Sequence, residues 1–419
     1  MKSRLWIYIA GGLIAIILLA GTFSTGMFLG GVLAADDSTK VIEELPLSIP
    51  SLPPRSTGTT TETLTPEDRE KLFAPFWQSW EIVHEQYVDQ PVDDEALMRG
   101  AISGMLEALG DQHTSYMDPD QFNQANIPME GEYEGIGAWV DPTAEYLTIV
   151  SPMPNSPAEN AGIKPGDQIV GIDGEDMTGI DGDLVIRKVL GPAGSEVTLT
   201  IRREGLDEPF DVTLERAHIV VPSVASEMIE GNVAYVELFN FGDKTTSELR
   251  DALKEVMAEK PVGLVLDLRN NGGGALRTAI EVASEFIGDG VIMYEEYGDG
   301  SRDTYSATRG GLATDIPIVV LINEGTASAS EIVAGAIQDH GRGQLVGVTS
   351  FGKGSVQIWT PLDNDQGAVR VTIARWLTPD GRTIHETGLE PDVVVELTEE
   401  DIAAERDPQL DKAVELLTK

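Results

Sequence analysis

The chain has 419 residues, and its 41% share of hydrophobic residues is typical of a folded protein with two or three domains. A formal net charge of -41 argues against binding to nucleic acid or to anionic lipid headgroups, because both recruit clusters of Lys and Arg. The absence of cysteine excludes disulfides and Cys-based metal sites, and the five histidines lack the paired spacing of zinc ligands.

The N-terminus has the pattern of a membrane-targeting segment. Lys2 and Arg4 precede an uncharged, mostly apolar stretch, residues 5–35, that is long enough to span a bilayer. Positive charge before such a stretch keeps the N-terminus inside the cell. We therefore expect residues 1–35 to be a transmembrane signal anchor, with the rest of the chain outside the cytoplasm. The alternative is cleavage near Val-Leu-Ala at 32–34, followed by secretion.

The next part of the chain changes from a linker to helices. Residues 36–64 are rich in Pro, Thr and Ser, which predicts a disordered tether. Thr65 followed by Pro66 is typical of a helix start. We expect residues 65–130 to be helical, with a second helix from 94 to 109. Several apolar positions at helical spacing are expected to face a core: Leu72, Phe76, Trp80, Val83, Leu97, Ala101, Met105 and Leu109.

Residues 131–217 have short strand patterns and Gly/Pro turns. The tripeptide Gly135-Ile136-Gly137 precedes an alternating strand, and a second block, Ser156-Pro157-Ala158, stands before a strand predicted at 168–172. A helix is predicted from 181 to 190. Alone, the first block would be a plain turn; together the blocks resemble a PDZ domain, whose loop amides receive a C-terminal carboxylate.

Residues 218–397 alternate strand and helix patterns. The runs 262–268 and 316–322 are nearly continuous apolar segments, as in strands buried on both faces. This predicts an α/β core, a mixed sheet with flanking helices. Residues 398–419 are predicted to be a helical tail, with one acidic amphipathic helix over 399–417.

Three segments of this core carry candidate chemistry. Ser328 stands in a small-residue turn between a buried strand and a helix, where helix amides stabilise negative charge. The same residues, Ser-Ala-Ser-Glu, also fit a helix-capping box. In the glycine loop that follows Asp267, backbone amides of Gly273 and Gly274 are available for an oxyanion hole, although a structural turn is the alternative.

Lys353 is the only charged residue between 343 and 362. Burial in such an apolar neighbourhood lowers the pKa of an amine toward neutral pH, as a lysine general base requires. Gln357, four residues further along a predicted strand, would point to the same side and orient the amine. The alternative is a surface lysine in a glycine turn.

The spans 267–274, 323–331 and 351–357 resemble, in letters and in spacing, the three signature blocks of the carboxyl-terminal processing proteases. The resemblance covers nearly all of the chain after the tether. It implies that Ser328, rather than Ser330, is the nucleophile, that Lys353 is the general base, and that Gln357 completes the catalytic set. One departure is Leu190, which stands where the family often has an arginine. This departure puts in doubt the coupling of peptide binding to activation, but not the chemistry.

The resemblance implies a serine endopeptidase that forms an acyl-enzyme without a metal or organic cofactor. The amide of Ala329, with Gly273 or Gly274, would hold the oxyanion. The implied substrates are proteins with apolar C-termini, bound by the PDZ loop. The family's helical ends can mediate dimers, so we expect a homodimer or an activating partner.

Three rival functions fit the sequence less well. A P-loop enzyme is disfavoured because Gly354 stands where the magnesium-binding Ser or Thr is required. A trypsin-like protease would need a His-Asp-Ser set with a Gly-x-Ser-Gly-Gly block, which the sequence lacks. The third rival is a non-catalytic peptide-binding scaffold; the presence of Ser328, Lys353 and Gln357 argues against it.

Overall fold

The computed structural model describes residues 64–419, apart from 143, 181, 207 and 405. The predicted signal anchor (1–35) and all but the last residue of the predicted tether (36–64) lie outside this part of the chain. No helix within the described residues is long and apolar enough to cross a membrane.

The described chain begins with a mainly helical region. Its elements are α1 (Pro66–Gln86), α2 (Asp94–Glu107), β1 (Ser115–Met117) and α3 (Pro119–Glu130). The start of α1 is as predicted, since the Thr65 hydroxyl oxygen accepts a hydrogen bond from the Asp68 amide.

The prediction that the apolar positions of α1 and α2 face a core is wrong for four of them. Leu72, Phe76, Met105 and Leu109 are exposed. No residue of α1 is buried. Helical periodicity identifies an apolar stripe but does not show whether another surface covers it.

A small antiparallel β-domain follows. It is bracketed by β2 (Glu132–Gly135), which pairs with β9 (Ala217–Val220). The elements between them are β3 (Ala138–Asp141), β4 (Leu147–Pro152), α4 (Pro157–Asn160), β5 (Gln168–Ile172), β6 (Glu175–Asp176), α5 (Gly182–Val189), β7 (Glu196–Arg202) and β8 (Phe210–Glu215). The sheet order is β3-β4-β5-β7-β8, with β6 beside β5, so β3 is an edge strand. Val197, Leu199 and Ile201 are fully buried, so alternate residues of β7 form the centre of the domain's core.

The largest core surrounds a six-stranded mixed sheet with the order β10-β11-β12-β15-β16-β19. Its strands are β10 (Val224–Ile229), β11 (Val233–Leu238), β12 (Gly263–Asp267), β15 (Ile318–Ile322), β16 (Gly343–Gly347) and β19 (Val393–Val394). Only β10 runs antiparallel to its neighbour; the other pairs are parallel. The predicted apolar runs at 262–268 and 316–322 contain β12 and β15.

Helices cover both faces of this sheet, which explains why its strands are apolar on both sides. One face packs against α6 (Thr245–Ala258), α7 (Leu276–Phe286) and α8 (Ala329–Asp339). The other face packs against α10 (Pro408–Thr418), where Ala413 is fully buried. A shorter helix, α9 (Glu399–Ala403), precedes α10.

The single helix predicted over 399–417 is therefore wrong, because the structure has two helices there. Pro408 cannot continue a preceding helix but is favourable at a first helical position, and Asp407 caps the new helix through the Leu410 amide.

A second, five-stranded sheet completes the core. Its order is β1-β18-β13-β14, and β17 pairs with β18. Its other strands are β13 (Val291–Tyr297), β14 (Arg302–Ser306), β17 (Ser355–Pro361) and β18 (Ala368–Leu377), and a short 3-10 turn (Asp363–Asp365) connects the last two. β1 thus brings the N-terminal region against the strand beside β17.

Candidate active site

Ser328 lies in a sharp turn between β15 and α8. The turn follows Ile322, and α8 begins at Ala329. The Ser328 backbone has φ 55° and ψ -115°, a conformation that costs a residue with a side chain about 1–3 kcal/mol. The residue is 2% exposed. The sequence therefore places a strained serine beside the first amides of a helix, where negative charge is favoured.

The second serine of this turn, Ser330, has a structural contact instead. Its hydroxyl donates to the Asn271 carbonyl at 2.8 Å, and the Ala327 amide donates to the same carbonyl at 3.0 Å. These bonds fasten the serine turn to the glycine-rich loop that follows β12. Because the Ser330 hydroxyl is already engaged, the contacts support Ser328 as the nucleophile.

Glu331 joins the serine turn to the lysine turn. Its carboxylate accepts hydrogen bonds from the amides of Ser328 (2.8 Å), Lys353 (2.9 Å) and Gly352 (2.7 Å), and from the Ser350 hydroxyl (2.6 Å). Burial raises the pKa of Glu331, and these four bonds act in the opposite direction. The sequence had indicated Glu331 only as a capping residue, and its contact with the lysine turn was missed.

Lys353 is buried, with 4% of its surface exposed. Its carbonyl accepts a hydrogen bond from the Trp376 indole at 2.9 Å, which holds the backbone in place. The pKa of Lys353 is lowered to about 7, chiefly by burial and secondly by the charge of Arg370, while Glu331 acts in the opposite direction. Within the described chain, Lys353 Nζ has no hydrogen-bond partner, so the amine and the Ser328 hydroxyl are not bonded here.

Gln357 is fully buried near the start of β17. Its Nε2 donates to the Ser355 hydroxyl (2.8 Å) and to the Thr372 hydroxyl (3.2 Å). Its Oε1 has no partner among the described residues. Gln357 therefore keeps an unused buried acceptor, as a residue that orients an amine would need.

The glycine loop lies directly against the serine turn. A Cβ atom added to Gly273 would come within 2.9 Å of Ser328 Cβ and 2.8 Å of the Ala329 nitrogen, and Gly273 has φ 102°. Only glycine fits this position. Of the two loop amides that the sequence indicated, that of Gly273 is already engaged, since it donates to Asn271 Oδ1 at 2.9 Å.

The predicted carboxylate-binding residues form the connection between β2 and the edge strand β3. Gly135 ends β2, and a Cβ on it would lie 3.2 Å from the Leu190 side chain. The Ile136 carbonyl accepts a hydrogen bond from Ala158 at 2.9 Å. Gly137 has φ 74°, and a Cβ there would collide with Ser156 at 2.5 Å. The two sequence blocks that indicated a PDZ domain therefore pack against each other.

Arg370 lies on β18, is 6% exposed, and was not indicated as a site residue by the sequence. Its Nε donates to the His113 carbonyl at 2.8 Å. Burial, and then the charge of Lys353, lower the pKa of His113 to about 4. The alternating polar residues Arg370 and Thr372 were the available signal, but nothing local connects them with a loop 257 residues earlier.

Models of known families match three parts of the chain. Peptidase family S41 matches residues 232–395, a PDZ domain matches residues 148–203, and the N-terminal domain of the activating protease CtpB matches residues 51–121.

Curated relatives and a solved structure agree with these matches. A carboxy-terminal-processing protease of Bartonella bacilliformis is 42% identical over 332 residues, or 78% of this chain and 75% of the relative. A carboxyl-terminal-processing protease of Synechocystis is 34% identical over 384 residues, 86% of this chain and 90% of the relative. An S41 protein of Bacteroides fragilis shares the fold, with 17% identity and a TM-score of 0.50 over 81% of this chain and 96% of that one. By this identity and coverage, the chain belongs to the carboxyl-terminal processing proteases of peptidase family S41 and contains a PDZ domain.

Proposed function

We propose that this protein is a serine endopeptidase that hydrolyses peptide bonds near the apolar C-termini of other proteins, with Ser328 as nucleophile and Lys353 as general base. The observation that carries the proposal is the Glu331 carboxylate, which bonds the Ser328 and Lys353 amides and so joins a strained serine to a buried lysine. Family membership supports the peptidase activity, and the names of the relatives support cleavage near C-termini.

Acylation begins with a neutral Lys353. Ser328 Oγ attacks the carbonyl carbon of the substrate as Lys353 Nζ takes the hydroxyl proton. The amides of Ala329 and Gly274 hold the oxyanion of the tetrahedral intermediate. The Lys353 ammonium then gives its proton to the leaving nitrogen, the C–N bond breaks, and an ester remains on Ser328.

Deacylation reverses these roles with water. Lys353 takes a proton from a water molecule whose oxygen attacks the ester carbonyl. When the ester bond breaks, the proton returns to Ser328 Oγ and the second product leaves as a carboxylic acid, which then gives its proton to water and becomes a carboxylate. Lys353 thus begins and ends the cycle neutral, and a pKa of about 7 makes this form available near neutral pH.

The unpartnered Lys353 amine supports a resting state that must rearrange before catalysis. Lys353 Nζ and Gln357 Oε1 are both buried and, within the described residues, both lack a hydrogen-bond partner. A small side-chain movement that brings the amine between Gln357 and Ser328 would satisfy both atoms. Binding of a substrate tail or an activating partner is our proposed trigger for that movement.

The PDZ domain is the proposed site for the substrate tail. β3 is an edge strand, so an extended peptide can add beside it, with its terminal carboxylate at the loop of Gly135, Ile136 and Gly137. We also propose that residues 1–35 anchor the enzyme in the cell membrane with the protease outside the cytoplasm; this segment lies outside the described residues.

The test compares cleavage of an unfolded reporter protein with an apolar C-terminus by the full-length wild type and by Ser328→Ala and Lys353→Ala. The controls are Ser247→Ala and Lys254→Ala, which change exposed residues of α6. A second reporter ends in two aspartates. Products are identified by mass spectrometry.

We expect cleavage by the wild type and both controls, a loss of more than about 1,000-fold in the two active-site variants, and slower cleavage of the acidic reporter. Equal activity in all variants would exclude the proposed residues. Tight binding of the apolar tail without cleavage by any variant would indicate the peptide-binding scaffold instead.

A further inference from the structure

A buried ionic cluster lies between the glycine loop and the C-terminal helix α10. Arg269 follows β12 at the start of the loop, and its side chain is 10% exposed. Its guanidinium donates to the Asp267 carboxylate from Nε (3.0 Å) and Nη2 (2.5 Å). It also donates to the Asp407 carboxylate from Nη1 (3.1 Å) and Nη2 (2.9 Å), and to Gln409 Oε1 at 3.0 Å.

The partners on α10 are themselves fixed. Asp407 is 5% exposed at its side chain and caps α10 by accepting a hydrogen bond from the Leu410 amide at 3.0 Å. Gln409 donates from Nε2 to the Val395 carbonyl at 2.8 Å. An arginine that meets a carboxylate through two parallel bonds has a defined orientation as well as a strong contact. The helix thus determines where the guanidinium of Arg269 lies.

On its other side, Arg269 leads directly into the residues that touch the nucleophile. The next amide, that of Asn270, donates to Asn323 Oδ1 at 2.8 Å. Asn271 donates from Nδ2 to the Leu238 carbonyl at 2.7 Å. Gly273 then lies against Ser328 with no room for a Cβ atom. Because these contacts leave the loop little room, we expect a shift at Arg269 to reach the Gly274 amide.

We propose that Asp407 and Gln409 are positioning residues of the active site: by holding Arg269, α10 keeps the oxyanion-binding loop in place for catalysis. Neither residue touches the substrate. This inference rests on the proposed peptidase function, and it makes a segment near the end of the chain part of the catalytic machinery.

The first test compares Asp407→Asn with Asp411→Asn, a control on the exposed side of the same helix, in the full-length chain. We expect Asp407→Asn to lower kcat on the order of 10- to 100-fold, with KM changed less than about twofold, because the loss is in the transition state. Gln409→Leu should show a smaller loss in the same direction. Melting temperatures are recorded for all variants.

Two ligands separate positioning from general damage. A peptide aldehyde adds to Ser328 and places an oxyanion in the hole, whereas a reduced-amide peptide of the same sequence binds without one. Asp407→Asn should lower the affinity for the aldehyde in proportion to the loss in kcat, and it should leave the affinity for the reduced-amide peptide unchanged. The inference would be overturned if Asp407→Asn were as active as Asp411→Asn, or if its kcat fell while its affinity for the aldehyde stayed unchanged.

Hydrogen exchange tests the inference independently of activity. We expect the backbone amides of residues 270–274 to exchange faster in Asp407→Asn than in Asp411→Asn. The amides of β11 and β15 should exchange at the same rate in both variants. Unchanged loop exchange contradicts the positioning role even in an inactive protein. If wild type cleaves nothing but the loop responds as expected, the proposed function fails and the structural link remains.

Discussion

Lys353 can act as a base only while its amine is neutral, so the groups around it determine the working pH. Burial is the larger cause of its lowered pKa, and the charge of Arg370 is the second. Activity should therefore rise with pH through about 7, as the folded enzyme loses the proton from this amine.

We expect Arg370→Gln to move the midpoint of the pH profile of kcat/KM upward by roughly one unit, because removal of a nearby positive charge makes protonation of Lys353 easier. Activity at pH 7 should then fall up to about tenfold and recover at higher pH. The measurement is kcat/KM from pH 5.5 to 9.5 with the apolar-tailed reporter.

Two variants control for this result. Arg370→Lys keeps the charge and should keep the midpoint near that of wild type. Arg375→Gln removes a charge from an exposed position of the same strand and should not shift the profile. A midpoint that stays unchanged in Arg370→Gln would leave burial as the sole cause and contradict the role of Arg370.

The residues that carry the proposed chemistry could be found from the sequence, but their electrostatic partners could not. Ser328, Lys353 and Gln357 stand in short segments whose letters and spacing are visible. Arg370 lowers the pKa of Lys353 through its charge, and its place on β18 is set by the pairing of β17 with β18. Such pairing is a property of the folded sheet, which no local pattern encodes.

At the scale of elements, strands buried on both faces were the most predictable. β12 and β15 fall within the apolar runs predicted at 262–268 and 316–322. Their apolar residues face helices on both sides, so the sequence signal is strong. The exposure of the apolar residues of α1 and the division between α9 and α10 were not predicted. The first depends on tertiary packing, and the second on a single proline.

The turn between β15 and α8 stores strain at Ser328, and this strain should be measurable as stability. Both Ser328→Gly and Ser328→Ala remove the proposed nucleophile, but only glycine adopts φ 55° without cost. We expect Ser328→Gly to have a free energy of unfolding about 1 kcal/mol higher than Ser328→Ala. Chemical denaturation of both variants at one pH measures the difference.

At a matched control position, we expect the alanine variant to be more stable than the glycine variant. Ser247 is an exposed residue inside α6, where glycine is less favourable than alanine by about 1 kcal/mol. Ser247→Gly should therefore be less stable than Ser247→Ala. If glycine were also the less stable substitution at position 328, the strained backbone would not be a feature of the protein in solution.

For the whole molecule, the dependence of stability on pH comes from groups whose pKa differs between the folded and the unfolded chain, and a buried carboxyl is such a group. Glu237 on β11 is 5% exposed, and its pKa is raised to about 8 by burial and then by the charge of Asp267, while Arg269 acts in the opposite direction. Tyr235 and Asp407 are the other ionisable groups that act on it.

The direction in which stability changes with pH follows from the protonation of Glu237 in the folded and the unfolded chain. Between pH 4.5, the ordinary pKa of this carboxyl, and about 8, the folded chain holds a proton on Glu237 that the unfolded chain has released. The stabilising contribution of that protonated form is fully present below pH 4.5. It is lost as pH rises through this window, and above pH 8 the fold carries a buried, charged carboxylate beside Asp267.

Glu237→Gln replaces the carboxyl with a neutral group of the same shape, so the variant should lose this pH dependence. We expect its free energy of unfolding at pH 8.5 to exceed that of wild type by about 2–4 kcal/mol, with little difference near pH 5. Glu227→Gln on β10 removes the same charge from an exposed position, and its curve should stay parallel to that of wild type. Urea denaturation at half-unit steps from pH 5 to 9 measures all three proteins. If the Glu237→Gln curve also ran parallel to wild type, Glu237 would be charged in the folded state throughout, and the single Arg269 would balance three buried carboxylates.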